Sequence, residues 1–362
     1  MPRIAADTLQ HFISDIFVAA GCSKEESGRI GKYLVGSNLA GHDSHGVARA
    51  PRYVKWKQDG TFFADKTVKR VVDTPVLAIL DGQYGFGQTT APQAVSLGIE
   101  KCKAMGLSAI GLKNSGHVGR VGEWAEMAAA ESLVSIHFVN VRGSVLVAPF
   151  GGVDRTFSTA PFCVGIPRKG EKPIILDFAT SLVAEGKVLV ASQGGKKIPE
   201  NALVSQDGSM SGDPHVLYGD YTPEGPREYK KGTGAIRAFG EHKGSGLALM
   251  CELLGGALTG NGASQLSQQW SQGMFSFYID AAKVDPEHFF PAEVTRMIGF
   301  VKGSKPLAAG EDVLVPGEQE ERYRAERLKN GIPLPDDTWS SLLSIAREVG
   351  IDGGRLQKIE LL

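Results

Sequence analysis

Two short apolar runs, FCVGIP (162–167) and PIILDF (173–178), are joined by turn residues alone, PRKGEKP (167–173). A parallel strand pair needs a crossover of a dozen or more residues. These two runs therefore pair as an antiparallel hairpin, and a sheet that contains both is not purely parallel. Three further β-type runs precede them, VLAIL (76–80), LSAIGL (107–112) and VSIHFV (134–139), each bounded by Gly, Pro or Asn. Helical stretches lie between, at APQAVSLGIEKCKAM (91–105) and GEWAEMAAAE (122–131).

The ends read differently. Leu9, Phe12, Ile13, Ile16 and Phe17 recur at helical spacing, and Gly21 stops the run. SKEE (23–26) reads as a capping box, Ser23 with Glu26, ahead of Ile30, Leu34 and Val35. Past about residue 312, GEQEERYRAERLKN (317–330) carries Glu318/Arg322 and Glu320/Arg324 at i,i+4 spacing, the pattern of a solvated helix face. DDTWSSLLSIAREVG (336–350) predicts a last capped helix. The expected division is an N-terminal helical part (1–75), a central sheet domain (76–311) and a C-terminal helical part (312–362) that packs with the first.

Charge narrows the function. Lys plus Arg (39) and Asp plus Glu (40) nearly cancel, with no basic stripe or acidic tail, so neither nucleic acid nor an anionic membrane is an expected partner. Asp7, His11 and Asp15 interrupt the N-terminal apolar pattern, which argues against a signal peptide. No apolar run is long enough to span a bilayer. Cys22, Cys102, Cys163 and Cys251 are far apart without a CxxC, as expected of reduced thiols in the cytoplasm.

GFGQTT (85–90) stands between a predicted strand and a helix, the setting of a dinucleotide fingerprint. It lacks the third glycine, and Lys113 stands where a ribose-binding acid belongs, so a glycine-rich turn is the better reading. GHDSHGVARAPRY (41–53) holds two of the chain's 8 histidines. His42 and His45 alone do not make a metal site, which needs three or four convergent ligands. Ser44, adjacent to His45, cannot easily present its hydroxyl to that ring, and no GxSxG elbow exists.

His45 with Arg49 does make chemical sense. If Ser44 caps a helical turn, the two share a face, although Pro51 disfavours helix at Ala50. An imidazole moves a proton near neutral pH and a guanidinium grips a carboxylate. A solvated helix end remains the bland alternative. NSGHVGR (114–120) offers His117 between glycines, Asp177 ends a strand in LDFATS (176–181), and His242 and Lys243 in EHKGSG (241–246) open a helix whose N-terminus suits phosphate.

Taken together, DSHGVAR, NSGHVGR, APFGG, DFATS, HKGSGLAL, GALTG, VPGEQE and GIPL resemble, in order and over almost the whole chain, the malate/L-lactate dehydrogenase-like family. Sulfolactate and ureidoglycolate dehydrogenases and diketogulonate and piperideine-carboxylate reductases are in that group. The resemblance implies a non-Rossmann α/β fold with a central, mostly antiparallel seven-stranded sheet, and a homodimer. It also implies hydride transfer between NAD or NADP and a small 2-hydroxy or 2-oxo acid. Carried over by residue, it implies catalytic Ser44, His45 and His117, with the substrate at Arg49 and Thr159. It places the cofactor at His117, Val118, Gly119, Arg120, Val121, Asp177, Phe178, Ala179, His242, Lys243, Pro316, Gly317 and Glu318, and implies no metal. Lys187 stands where the piperideine-carboxylate reductases have aspartate, against the imine-reducing branch. Ala160 replaces a common asparagine and Ser245 a common aromatic. A metal-dependent lyase or hydrolase on His42 and His45, or a non-catalytic NAD(P)-binding protein, stand as alternatives.

Overall fold

A computed structural model describes residues 1–192, 194, 197–222, 231–266 and 268–351. Helices α1 (Ala6–Ala19) and α2 (Lys24–Leu39) form as the periodicity predicts, burying Leu9, Ile13, Ile16, Ile30 and Leu34. Only half of the expected capping box exists. Ser23 Oγ accepts the Glu26 N–H at 3.1 Å. The Glu26 carboxylate instead accepts from the Asp65 N–H (2.6 Å) and the Thr89 hydroxyl (2.7 Å), tying α2 to distant chain.

The central sheet has seven strands: β1 (Lys69–Asp73), β2 (Leu77–Gly85), β3 (Leu107–Ser115), β4 (Val134–Arg142), β5 (Pro161–Ile166), β6 (Ile174–Ala179) and β7 (Ser271–Ile279). Their spatial order is β1-β2-β3-β7-β4-β5-β6. The hairpin across 167–173 pairs β5 with β6 antiparallel, as its length requires. Only β2 and β3 run parallel, joined by helix α4 (Gly87–Met105). Strand β7, absent from the sequence reading, lies at the centre between β3 and β4. Helices α4 and α5 (Gly122–Ala130) cover one face through Val95, Cys102, Trp124 and Ala128.

Both chain ends share a second core. Arg3 and Ile4 pair with Pro333 and Ile332, and Phe12, Phe17, Tyr53, Phe86, Ile332 and Leu342 belong to one buried cluster. A small three-stranded sheet at 203–204, 210–211 and 235–236 covers a third cluster with Val188, Leu217 and Ile236. Its strands are too short to leave a sequence pattern. Helix α6 (Glu185–Ser192) precedes it, and α7 (His242–Cys251) and α8 (Phe289–Lys302) follow.

Two expectations for the C-terminal helices change. On α9 (Glu318–Asn330) the i,i+4 pairs do not form. Glu318 pairs with Lys302, Arg322 with Asp312 (2.5 Å), Glu320 with His42 (3.3 Å) and Arg324 with Glu126 (3.4 Å). The helix is therefore partly an interface, although Arg324 keeps a partner on its own surface as well, Glu321 at 3.3 Å. Helix α10 (Asp336–Glu348) follows Pro335 with no side-chain cap, and Asp336 meets the Met1 amino group at 3.0 Å. No helix among the described residues is long and apolar enough to cross a membrane.

Candidate active site

The segment 43–49 is not the single capped turn expected. It is two 3₁₀ turns, Asp43–His45 and Val47–Arg49, broken at Gly46, and Ser44 caps neither. Ala50 is helical after all and begins α3 (Ala50–Gln58), with Pro51 in the first turn, where a missing N–H costs nothing. Asn38 explains the break. Its Oδ1 accepts the Val47 N–H at 2.8 Å, its Nδ2 donates to Asp43 at 2.6 Å, and a Cβ on Gly46 would lie 2.2 Å from that Oδ1. Arg327 of α9 clamps Asp43 from outside, with Nη1 on Oδ1 (2.6 Å) and Nη2 on Oδ2 (3.0 Å).

The loop so held delivers His45 to His117. His45 Nδ1 lies 3.1 Å from His117 Nε2, and the rings are nearly parallel at 8°. His117 Nδ1 meets the Tyr53 hydroxyl at 2.5 Å, and Gln88 Nε2 donates to both that hydroxyl and the His117 carbonyl at 3.2 Å. Loop 116–118 packs so tightly on the start of α4 that a Cβ on Gly87 would sit 2.1 Å from the His117 carbonyl oxygen. Gln272, beside a bulge in β7, accepts the Val118 N–H at 2.6 Å and fixes the loop from the far side. Burial, reinforced by the charge of Arg49, holds His45 down to about 3. Burial and His45 do the same to His117, so both rings are neutral at physiological pH. Burial also pushes the Tyr53 phenol up, keeping it protonated.

Arg49 completes the group. Its Nε donates to the Ser44 carbonyl at 2.6 Å, which leaves the two Nη groups to face another partner. The Glu185 and Tyr53 side chains act electrostatically on this guanidinium. Glu185 also accepts from the Tyr218 hydroxyl at 2.6 Å, and a Cβ on Gly186 would lie 3.2 Å from Ser44 Cβ, so the start of α6 walls the site. His42 points elsewhere, to Glu320 at 3.3 Å. Among the described residues no three His, Cys, Asp or Glu side chains converge as metal ligands.

The remaining expected residues line β6. Asp177 Oδ2 accepts the Gly122 N–H at 2.6 Å, at the end of the loop that carries Val118 to Val121. Phe178 meets Phe239 edge-on at 5.2 Å, just before the Gly240–Lys243 turn. The Pro316 carbonyl accepts the Ile175 N–H at 3.2 Å, which places Gly317 and Glu318 against the same strand. The Thr159 carbonyl accepts from the Thr180 N–H at 3.0 Å, just past Ala179. Ala160 next to it has φ +25°, in the left-handed region that asparagine tolerates better than alanine.

The buried Arg120 guanidinium pairs through its two Nη groups with Glu123 and Glu126, while its buried Nε meets no partner among the described residues. A dinucleotide suits the start of α7. Helix α7 starts without a side-chain cap and carries His242 and Lys243 in its first turn. The Lys243 cation beside open helix N–H groups is unfavourable unless an anion sits between them.

Sequence reasoning missed Tyr53, Gln88, Asn38, Gln272, Glu185 and Arg327. Tyr53 and Gln88 did lie inside quoted motifs, one helical turn past Arg49 and within GFGQTT, but nothing in the sequence says that they meet.

Fold and site define a mixed α/β protein in which two touching histidines stand beside an arginine fork, with the edge strand β6 nearby. A model of the malate/L-lactate dehydrogenase family matches residues 4–343. Hydroxycarboxylate dehydrogenase B of Escherichia coli is 39% identical over 360 residues, covering 98% of this chain and 96% of the relative. Malate dehydrogenase of Pyrococcus abyssi is 34% identical over 358 residues, covering 97% and 96%. The solved structure of a malate/lactate dehydrogenase-like protein from E. coli matches with a TM-score of 0.91 and 38% identity, over 99% of this chain and 98% of that one. The chain belongs to the malate/L-lactate dehydrogenase family. It is an oxidoreductase.

Proposed function

We propose that the protein transfers hydride between NAD or NADP and a small 2-hydroxy or 2-oxo acid. The observation that carries this reading is the juxtaposition of His45, His117 and Arg49, with the Arg49 fork held open by the Ser44 carbonyl. Bound nicotinamide supplies the hydride chemistry at C2 of the acid. Arg49 grips the carboxylate and so orients C2 and its oxygen. His45 exchanges a proton with that oxygen, and His117 supports it from behind. Ser44 acts through its main chain on Arg49, and Thr159 flanks the substrate. Val118, Gly119, Val121, Asp177, Phe178, Ala179, His242, Lys243, Pro316, Gly317 and Glu318 would hold the dinucleotide.

The site draws on all three parts of the division, 1–75, 76–311 and 312–362, the last of which extends beyond the described residues. We place the enzyme in the cytoplasm, in keeping with four buried free thiols. We also take it to be a homodimer. Helix α8 has no buried residue and exposes Phe289 and Phe300, while Leu249, Met250, Leu253 and Leu258 are exposed on α7 and its π-helical continuation. Fluorescence titration with NADH and NADPH, followed by turnover of a panel of 2-oxo acids, tests the reading. Binding of neither cofactor, or binding without turnover of any acid, would overturn it.

A further inference from the structure

GFGQTT fails as a phosphate loop, yet it sends a side chain to the back of the site. Gln88 is 1% exposed, and its Nε2 donates to the Tyr53 oxygen and to the His117 carbonyl, each at 3.2 Å. The carbonyl fixes the amide's orientation. Turned over, Oε1 would face the His117 carbonyl oxygen, acceptor against acceptor, and the bond to it would be lost. With a Gln88 N–H directed at the Tyr53 oxygen, the phenol's own hydrogen is free for His117 Nδ1, 2.5 Å away. Nδ1 is then an acceptor, and a neutral His117 carries its proton on Nε2. That N–H faces His45 Nδ1 at 3.1 Å. His45 Nδ1 becomes the acceptor in turn, and its single proton stays on Nε2, which no side chain meets among the described residues.

We propose that Gln88 and Tyr53 are tautomer-setting residues, which hold the protons of His117 and His45 on Nε2 so that His45 rests loaded as the proton donor for reduction of a 2-oxo acid. This role rests on the reading of His45 as the group that exchanges a proton with the substrate. The scheme requires neutral imidazoles and a protonated phenol, the states that burial favours at all three groups.

The protons balance. On reduction of C2 with the hydride that bound nicotinamide would supply, the oxygen on C2 would take the proton of His45 Nε2. His45 Nδ1 takes the His117 Nε2 proton, and His117 Nδ1 takes the Tyr53 hydroxyl proton. The phenolate left behind accepts from Gln88 and lies in the field of Arg49 and Arg52, until one proton from solvent restores the start. In reverse, the same chain accepts the hydroxyl proton of a 2-hydroxy acid.

The test reads tautomers directly, in the cofactor-free full chain labelled with ¹⁵N-histidine. Long-range ¹⁵N–¹H spectra, assigned with His45→Asn and His117→Asn, should show both rings as the Nε2–H form. Tyr53→Phe removes the hydroxyl and should move both histidines toward Nδ1–H, with kcat/KM for the oxo acid falling about tenfold, the effect of ~1.4 kcal/mol. Gln88→Met, which keeps the phenol, should lower the Nε2–H population of His117 and guards against misfolding of the first variant. A wild-type spectrum with His45 protonated on Nδ1 overturns the proposal, as does an Nε2–H pattern unchanged in both variants. Because the spectra need neither cofactor nor substrate, failure of every acid to turn over counts against the proposed function and leaves the tautomer result standing.

Discussion

Arg327 holds Asp43 through two hydrogen bonds of 2.6 and 3.0 Å, across 284 residues of sequence. Arg327 is 7% exposed while the Asp43 side chain stays 46% exposed, so the pair ties a solvent-facing rim of the site to a buried arginine. Breaking it should loosen the loop that presents His45. Asp43→Asn keeps the shape and one acceptor but removes a half-exposed charge, and should cost ~0.5–1.5 kcal/mol. Urea denaturation reads that loss, and kcat/KM should fall with it. A variant as stable and as active as the wild type would show that the clamp is ornamental.

The two histidines should be unequal. Loss of a positioned acid/base costs ~10²–10⁴-fold in rate, and His45→Asn should fall in that range. His117→Asn should lose about tenfold, because it removes a support while a donor remains. The double variant should match His45→Asn alone, since the rings touch and act as one unit. If His117→Asn alone abolishes the chemical step while NADH or NADPH still binds, the roles are reversed.

What the sequence could disclose follows from the range of each interaction. Helices α1 and α2 and the β5–β6 hairpin are written in local spacing, so their residues announce them. Strand β7, SQGMFSFYI, opens with polar residues whose burial comes only from pairing with β3 and β4 on both sides. The aromatic-rich run MFSFYI (274–279) is a local strand signal, but its central position is not written in it. Glu320 and Arg324 obey helical spacing, yet each bonds to a partner on another element. In the candidate site, His45 and Arg49 stand out in the sequence because their chemistry is unusual for so short a stretch, and the fold brings them into one group. Tyr53 reaches His117 over 64 residues and Gln88 over 29, so their roles appear only once the chain is folded.

Acid should weaken the fold at a pH above the range of ordinary carboxylates. His45, His117 and His137 all have folded pKa values depressed by burial, to about 3 for His45 and His137. The unfolded chain therefore binds protons that the folded one refuses, between the ordinary histidine value of ~6.5 and the folded values. Stability is full above that window and falls as pH drops through it. At pH 5 His45 and His137 should each cost ~2 kcal/mol relative to pH 7.5, and His117 acts in the same direction. His137, whose ring bonds to Ser276 (2.8 Å) and Ser135 (3.0 Å) in the sheet, away from His45 and Arg49, separates stability from chemistry. His137→Gln should flatten part of the pH dependence of unfolding. An unfolding free energy that does not change from pH 7.5 to pH 5 would contradict the burial argument.

The dimer reading makes a separate prediction. Phe300 is 72% exposed on a helix that buries nothing in the monomer, so charge there should be harmless to the fold and hostile to association. Phe300→Asp, combined with Leu253→Asp on the π-helical segment, should shift the mass by light scattering from two chains to one. Thermal unfolding should become independent of protein concentration. A wild-type chain that is monomeric and fully active removes the dimer from the account.

Arg49 offers the sharpest test of the substrate reading, through Arg49→Lys. The native Nε is bound to the Ser44 carbonyl at 2.6 Å, so the backbone aims the two Nη groups as a planar fork. Lysine keeps the positive charge but cannot bond to Ser44 and still present two parallel donors. Losing one charge-assisted bond should lower kcat/KM for the best 2-oxo acid by roughly 10–150-fold, or ~1.5–3 kcal/mol. The loss belongs to the acid, so NADH or NADPH affinity should hardly change. Amide and ester analogues have no carboxylate to grip, and they should be poor with both enzymes and discriminate little between them. Arg49 also presses on His45 electrostatically, and a lysine in its place would retain most of that field, so the pH profile should keep its shape while its height drops. Wild-type kcat/KM in Arg49→Lys would mean that the fork grips nothing.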